Sequence, residues 1–386
     1  MKKRTTKLMS LFLVTAMTVS MMAGCGDSSE STSTNTTSSN SATSSASTES
    51  GSTAEVMSNE EIIKKAAEEG KVSNWGLGNE YEVLALLAKY DLPTEYLSED
   101  FTMDGFDDDS STLASAMTYN ELGLVKNDYE GGYGYGDTVG YIDMNDEGVA
   151  MLEDNIFCTK EFAEQNPETV KAFLYASLKG WEYAVEHPDE AAEICYEAGS
   201  SVSQDHQTYM ANEVAKLVST DMNGNEVTDD IGVINDEAMQ QTLDIAKKYV
   251  TLDDSAAQEK FEATEVSDFC DKSFYEAAKA SDGTFSPEKT DVSIQLKWLP
   301  DAQFMGYYVA DAKGYYDEVG LKVTIVSGGG DISETTAVNN GTVDFGQTWP
   351  TNMVVANAGG MDLVEIAQLF QRSGLTLVYK YDNFAK

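Results

Sequence analysis

Two tryptophans follow predicted strands towards the end of the chain, where a flat ligand could be held. Trp298 and Trp349 each come at the end of a strand, and Gln303 and Tyr307 lie on the helix that follows Trp298. Aromatic faces stack on flat rings, and an amide can hydrogen-bond a ring nitrogen. These four residues are therefore predicted to bind a small heteroaromatic ligand. The alternative for either tryptophan is packing in a core.

A second group of residues lies near predicted strand ends in the first part of the chain. The turn GLGN at 76–79 precedes a helix, so its N–H groups would face a cleft and favour anions or lone pairs. It contains no lysine or arginine, which argues against a phosphate or sulfonate ligand. Carboxylates nearby could accept from an amino group on a ring, although they could also compensate a helix N-terminus or lie in a solvated turn. The predicted contacts of this group are Gly76, Gly78, Asn79, Glu80, Tyr119, Asn120 and Glu147.

Residues for catalysis or metal binding are scarce. Besides Cys25 there are three scattered cysteines without a CxxC pair, and the two histidines both lie in a predicted helical region. The segment at 221–226 begins like a calcium loop, but Glu226 stands where that loop requires glycine. We therefore expect no catalytic residue, no metal and no cofactor.

The formal net charge is −41, and only 25 of the 386 residues are lysine or arginine. Nucleic-acid binding needs a basic face, so nucleic acid is not an expected partner. A strongly charged body of this kind stays dispersed in solution.

The first residues indicate export. A basic start is followed by an apolar run from Leu8 to Met22 and then by Ala-Gly before Cys25, which is typical of a secretory signal and resembles the bacterial lipobox. We expect cleavage after residue 24 and lipidation of Cys25; the alternative is an ordinary signal peptide with an incidental cysteine. Residues 25–53 are rich in Ser and Thr and should form a disordered tether that holds the body at the membrane surface.

The elements that must position the ligand residues alternate between strands and helices, which predicts an α/β fold. Residues 167–249 are predicted to be mostly helical, and 281–290 to form a linker. After the linker, four strands separated by short helices predict a parallel sheet, whose ligands would lie at the carboxyl ends of the strands.

Several motifs resemble one family. They are QLKWLPDAQFMGYYV (295–309), GYYDEVGLKV (314–323), VDFGQTW (343–349), AQLFQRSG (367–374), NWGLGNEYE (74–82), ASAMTYNE (114–121) and NDEGV (145–149). Together they resemble the thiamine-pyrimidine-synthase-like binding proteins, a branch of the type II periplasmic binding proteins that serve ABC importers. The resemblance implies two Rossmann-like lobes joined by a hinge.

That resemblance also implies a function. The expected ligand is a hydroxymethyl- or formylamino-pyrimidine, with riboflavin or a similar flavin as the alternative, and the expected partners are an ABC permease and its ATPase. The protein would act as a monomer. The family includes an enzyme branch that makes the thiamine pyrimidine, but residues 291–386 contain no histidine, so no enzyme is expected. A structural or adhesion lipoprotein is a third possibility.

The order of the motifs departs from that of the family. One lobe is predicted in 54–147, a hinge with a helical region and the linker in 148–290, and the lobe that usually comes first in 291–386. The chain therefore looks circularly permuted; a rearranged gene is the alternative. We expect the helical region to pack on the lobe at 291–386, and a single covalent hinge near 145–157.

Overall fold

The computed structural model describes residues 56–386. The predicted signal peptide (1–24), the lipidated Cys25 and the tether (25–53) lie outside the described residues. Among residues 56–386, none of the helices combines the length and the apolar character that a membrane crossing needs.

The first part of the described chain alternates short strands and helices. In chain order these are α1 (Asn59–Glu68), β1 (Val72–Asn74), α2 (Glu80–Lys89), β2 (Leu97–Ser98), α3 (Asp104–Asp107), β3 (Leu113–Met117), α4 (Glu121–Lys126) and β4 (Val139–Asp143).

One strand and seven helices follow in the middle of the chain. They are β5 (Asn155–Thr159), α5 (Lys160–Gln165), α6 (Pro167–Glu186), α7 (Pro188–Glu197), α8 (Gln204–Ser219), α9 (Asp236–Tyr249), α10 (Ser255–Ala263) and α11 (Lys272–Lys279).

The last part returns to alternating elements. They are β6 (Asp291–Gln295), α12 (Met305–Ala312), α13 (Tyr315–Glu318), β7 (Lys322–Val326), α14 (Glu334–Asn339), β8 (Phe345–Gly346), α15 (Pro350–Ala358), β9 (Leu363–Gln368) and β10 (Leu375–Lys380). A short 3-10 helix at Ala302–Phe304 precedes α12.

Local chemistry explains where several helices begin. Ser58 and Glu61 form a reciprocal capping box at the start of α1, and the Ser203 hydroxyl accepts a hydrogen bond from the backbone of His206 at the start of α8. Proline occupies the first position of α6, α7 and α15, where its missing N–H is not needed. The predicted helical region thus has clear starting signals.

The strands form two sheets of five, in the orders β2-β1-β3-β10-β4 and β7-β6-β8-β5-β9. In the first sheet β1 pairs in parallel with β2 and β3, and β10 is antiparallel to both of its neighbours. In the second, β6 pairs in parallel with β7 and β8, and β5 is antiparallel to both of its neighbours. The same topology occurs twice, and the predicted two-lobed α/β fold is confirmed. We call the two lobes the N-lobe (β1–β4 and β10) and the C-lobe (β5–β9).

The predicted lobe boundaries need one correction. Strand β10 belongs to the N-lobe, where Leu375 lies opposite Met117 and Lys380 opposite Val139, so residues 291–386 are not one continuous lobe. Five of the six residues of β10 are buried, and such a strand is stable only with a neighbour on each side. Residues 369–374 separate β9 from β10, and nothing in the apolar pattern of either strand indicates which sheet it joins.

The predicted single hinge is therefore wrong. The chain crosses between the sheets twice, at residues 144–154 and again at 369–374. The two crossing segments lie side by side, because the backbone N–H of Leu369 donates to the Asp154 carbonyl at 3.0 Å and that of Gly374 donates to the Glu153 carboxylate at 2.9 Å. A double crossing restrains twist between the lobes more than a single one would.

The helical region packs mainly on the C-lobe. Helix α6 runs along α11 and α12, and α8 packs on α6, α7 and the short helix at Ala302–Phe304. Two helices also reach the N-lobe, since α8 touches α4 and α9 touches α2.

The two ends of the described chain are neighbours on the N-lobe. Val56 forms a β-bridge with Ala385, and the N–H of Met57 donates to the Phe384 carbonyl at 3.1 Å.

Candidate ligand-binding cavity

A cavity of about 150 Å³ lies between the two lobes. The N-lobe contributes Trp75, Leu77, Phe101, Met117, Tyr119, Asn120 and Glu121, and the C-lobe contributes Lys297, Trp298, Gln303 and Trp349. Five of these side chains are aromatic, so flat faces form much of its wall.

The predicted residues Trp298, Gln303, Trp349, Tyr119 and Asn120 all line this cavity. They come from both lobes and converge because each follows or lies near the carboxyl end of a strand. The structure thus brings together, in one cavity, residues from both groups of predicted ligand contacts.

The other predicted residues lie elsewhere. Tyr307 is fully buried and packs edge-to-face against Trp181, with ring centroids 5.7 Å apart, because its position on α12 faces α6 rather than the cleft. Glu147 is bound to Lys89 at 2.5 Å and to the Tyr90 hydroxyl at 2.6 Å, so its carboxylate stabilises the N-lobe instead. Neither of these two residues lines the cavity.

The turn at 76–78 has a different role from the one predicted. Gly78 and Glu80 line a neighbouring cleft, while Gly76 and Asn79 line neither space, and the buried Asn79 amide has no hydrogen-bond partner among the described residues. All three residues of the turn have positive φ, including Leu77 at 69°, which lacks the freedom of glycine. This turn brings the Gly78 backbone against the C-lobe, where a Cβ would lie 2.6 Å from the Asn352 side chain and 3.2 Å from Trp349.

Two contacts between the lobes lie beside the cavity. The rings of Phe101 and Trp298 lie 5.0 Å apart and are tilted by 58°. The Asn352 side-chain amide donates to the Leu77 carbonyl at 3.3 Å. The described conformation is therefore one in which both lobes contact each other around the cavity.

Asp154 organises the C-lobe wall. Its carboxylate accepts hydrogen bonds from the Gln303 amide at 2.9 Å and from the Trp349 indole N–H at 2.9 Å. Burial raises the pKa of Asp154 to about 6, although these donors and the Lys297 charge oppose the shift. Because the Gln303 N–H₂ group is committed to Asp154, Gln303 offers a ligand its carbonyl oxygen.

Lys297 supplies positive charge at the cavity. Its ammonium group lies 3.5 Å from the Glu334 carboxylate and 4.6 Å from the centre of the Trp349 ring. A cation over an indole face adds attraction of about 0.5–2 kcal/mol and fixes the ring in place. Lys297 stands next to Trp298 in the sequence, which is the signal by which it could have been found.

Glu121 places a carboxyl group on the N-lobe wall. It accepts from the backbone N–H of Met117 at 2.9 Å and from the Asn120 amide at 2.9 Å. Burial raises its pKa above the ordinary value, against the effect of these hydrogen bonds. Glu121 was not predicted as a cavity residue, although it is next to the predicted Asn120 in the sequence. Phe101 was not predicted either, because it follows a strand of only two residues, which has no recognisable sequence pattern.

The volume limits what the cavity can hold. A cavity of about 150 Å³ with apolar walls holds one benzene-sized ring. Its polar groups, Glu121, Asn120, Gln303 and Lys297, stand around the aromatic walls.

A family model described as NMT1/THI5 like matches the chain in two segments, 106–191 and 301–385. The matched segments contain Tyr119, Asn120, Glu121, Gln303 and Trp349 of the cavity, and leave Trp75, Phe101 and Trp298 outside. No curated protein matches the chain.

Proposed function

The chain belongs to the NMT1/THI5-like family of periplasmic binding proteins, and we propose that it captures one small heteroaromatic ring and delivers it to an ABC importer. The family consists mostly of binding proteins that are typically extracytoplasmic. The observation that carries the proposal is the cavity between the lobes, with five aromatic side chains and room for a single ring.

We propose a pyrimidine with amino and hydroxymethyl or formylamino substituents as the ligand. Its ring would stack against Trp298 and Trp349, its amino group would donate to Glu121 or Gln303, and its ring nitrogens would accept from Asn120 or Lys297. Flavins are the weaker candidate, because three fused rings need more than about 150 Å³ and would have to extend into the neighbouring cleft, which shares Leu77, Lys297 and Trp298 with the cavity.

Mass spectrometry of untagged protein under non-denaturing conditions, followed by release of the bound compound, tests this proposal. We expect the mass of a single-ring heterocycle. A thermal-shift panel should agree, since a ligand at 100 times its Kd stabilises a protein by about 2.7 kcal/mol. Stabilisation by riboflavin but by no pyrimidine would overturn the choice of ligand, and absorbance from a bound pyridoxal group would favour the enzyme branch.

We also propose that Cys25 carries a lipid anchor. The support is the sequence around it, with a basic start, an apolar run and small residues before the cysteine. Cells expressing the wild-type protein should retain it in the membrane fraction, and Cys25→Ser should move it to the medium or the soluble fraction. Equal membrane retention of both proteins would contradict the anchor.

A circularly permuted order is the last part of the proposal. Motifs that resemble the family's first half lie at the end of this chain. One structural feature supports this order: Val56 and Ala385 are adjacent, so a short link could join the two ends of the described chain.

A further inference from the structure

Helix α8 contacts both walls of the cavity through two consecutive residues. Gln207 is fully buried, and its side-chain oxygen accepts from the backbone N–H of Ala302 at 2.9 Å, next to Gln303 of the C-lobe wall. His206 is also fully buried, but its ring faces the N-lobe, 2.8 Å from the side-chain oxygen of Asn120.

The hydrogen bonds around His206 define one tautomer. The Asn120 N–H₂ group donates to the Glu121 carboxylate at 2.9 Å, so the amide oxygen must face His206. An amide oxygen only accepts, and therefore Nε2 of His206 carries the proton. Nδ1 then accepts from the Tyr129 hydroxyl at 2.6 Å. Burial lowers the pKa of His206 to about 4, which keeps the ring neutral at physiological pH.

A second contact supports the same face of α8. The ring of Tyr209 lies parallel to that of His206, with centroids 6.1 Å apart, and its hydroxyl donates to the Thr118 carbonyl at 2.7 Å. Two side chains of α8 thus hold residues 118–120, which follow β3 and carry Tyr119 and Asn120 into the cavity.

The other end of α8 lies at the hinge. The Leu217 carbonyl accepts from the N–H of Gln371 in the second crossing segment at 2.8 Å. His206 is eleven residues earlier, or about 17 Å along the helix at 1.5 Å per residue. A rotation at the crossings that carried α8 with the C-lobe would therefore move His206 away from Asn120 and break their hydrogen bond.

We propose that His206 is a positioning residue for ligand binding. Its hydrogen bond fixes the Asn120 amide, and the Asn120 amide in turn fixes the Glu121 carboxylate. The helix that carries His206, α8, is bonded through Gln207 to the C-lobe wall of the cavity. The inference rests on the proposed function, since it takes the cavity to be the ligand site. His206 joins the two lobes beside the ligand when they are closed, and it contributes no atom to the cavity wall itself.

His206→Phe, His206→Gln and a control, His187→Phe, test the proposal. Phenylalanine keeps an aromatic ring beside Tyr209 but cannot donate to Asn120, whereas glutamine can donate. His187 is the other histidine of the chain, and its ring packs against Tyr183 outside the cavity. Affinity for 4-amino-5-hydroxymethyl-2-methylpyrimidine is measured by calorimetry, and hydrogen exchange at 117–121 is measured without ligand.

We expect His206→Phe to weaken binding about tenfold, which corresponds to about 1.4 kcal/mol, and to speed exchange at 117–121. His206→Gln should restore both within about threefold, and His187→Phe should change neither. A His206→Phe protein with lower thermal stability but unchanged affinity and exchange would overturn the proposal. If wild-type protein binds no ring compound, the proposed function fails, while the exchange measurement still decides whether His206 orders residues 117–121.

Discussion

Trp298 is an aromatic residue of the C-lobe that an aromatic residue of the N-lobe also contacts. It lines the cavity from the C-lobe, and Phe101 of the N-lobe covers one side of its ring. A ligand that stacks on Trp298 would therefore be bound by a face whose position depends on closure. This makes Trp298 the most informative single residue for testing ligand stacking.

We predict that Trp298→Ala weakens ligand binding by about 10–100-fold. Loss of a large buried aromatic contact costs about 1.5–3 kcal/mol, and each 1.4 kcal/mol is a factor of ten. Calorimetric titration with the co-purified ligand measures the effect. The control is Leu299→Ala, because Leu299 is the next residue, is 40% exposed and does not line the cavity. Equal losses in the two variants would show that the indole face has no specific role.

Residue positions near strand ends were predictable because strand ends of a parallel sheet converge. This rule identified Trp298, Trp349, Tyr119 and Asn120. The rule does not indicate which face of a helix lines the cleft. Tyr307 was therefore predicted to contact the ligand, whereas its side chain is on the face of α12 that packs against α6. His206 was not predictable, since its role depends on a helix that packs on the opposite lobe.

The first crossing segment carries a buried carboxyl group, Glu153, and α2 places a second one, Glu82, close to it. Glu153 accepts from the backbone of Gly374, and Glu82 of α2 accepts from the backbone of Met151, both in or beside the crossings. Burial and the mutual repulsion of the two groups raise the pKa of Glu153 well above its ordinary value, with Asp154 adding to the repulsion. Desolvation likewise raises the pKa of Glu82. The hinge therefore holds protons that the unfolded chain would release.

We predict that Glu153→Gln stabilises the protein more at pH 8 than at pH 5. A carboxyl whose pKa is raised on folding contributes stability at low pH, and that contribution is lost as the pH rises above the ordinary value of about 4.5. Glutamine keeps the oxygen that accepts from Gly374 and Ser373 but does not titrate. Thermal unfolding at both pH values gives the comparison.

The exposed Glu237→Gln provides the control for this measurement. It should change Tm equally and only slightly at the two pH values. If Glu153→Gln shifts Tm by the same amount at pH 5 and pH 8, then Glu153 is already ionised in the folded protein and its pKa is not raised on folding.

At the level of elements, alternation of strands and helices sufficed to predict the α/β class. Strand pairing across the chain did not follow from it, because β9 and β10 have similar apolar patterns and differ only in the sheet that each completes. The local sequence of a strand does not indicate which distant strand it pairs with. Strand β10, for example, pairs with β3, which lies some 260 residues earlier in the chain.

The whole molecule has the geometry that a permuted chain requires. Its described ends are adjacent at Val56 and Ala385, and residues 281–287 form no helix or strand and are partly exposed. Chain ends are tolerated at such surface positions. The order of lobes along the chain can therefore differ while the crossings and both sheets stay intact.

A rearranged protein can be made that starts at Gly283 and ends at Asp282, with Ala385 joined to Val56 by a short flexible loop. We predict that it folds and that its affinity for the ligand is within about threefold of that of the original protein. The reason is that every strand pair of both sheets is retained. Circular dichroism and calorimetry measure the outcome. The comparison variant is opened at Leu152 in the first crossing, where burial is complete, and should not fold. A rearranged protein that folds no better than this variant would contradict permutation as the origin of the order.

Three of the four tryptophans of the chain, Trp75, Trp298 and Trp349, line the same small cavity, and the fourth, Trp181, is buried in the core. Intrinsic emission from this protein should therefore come largely from the cavity between the lobes. A ring that enters between these indoles should quench or shift the emission in proportion to occupancy, without any attached dye. The protein would then report, through its own fluorescence, the binding of the ligand proposed for it.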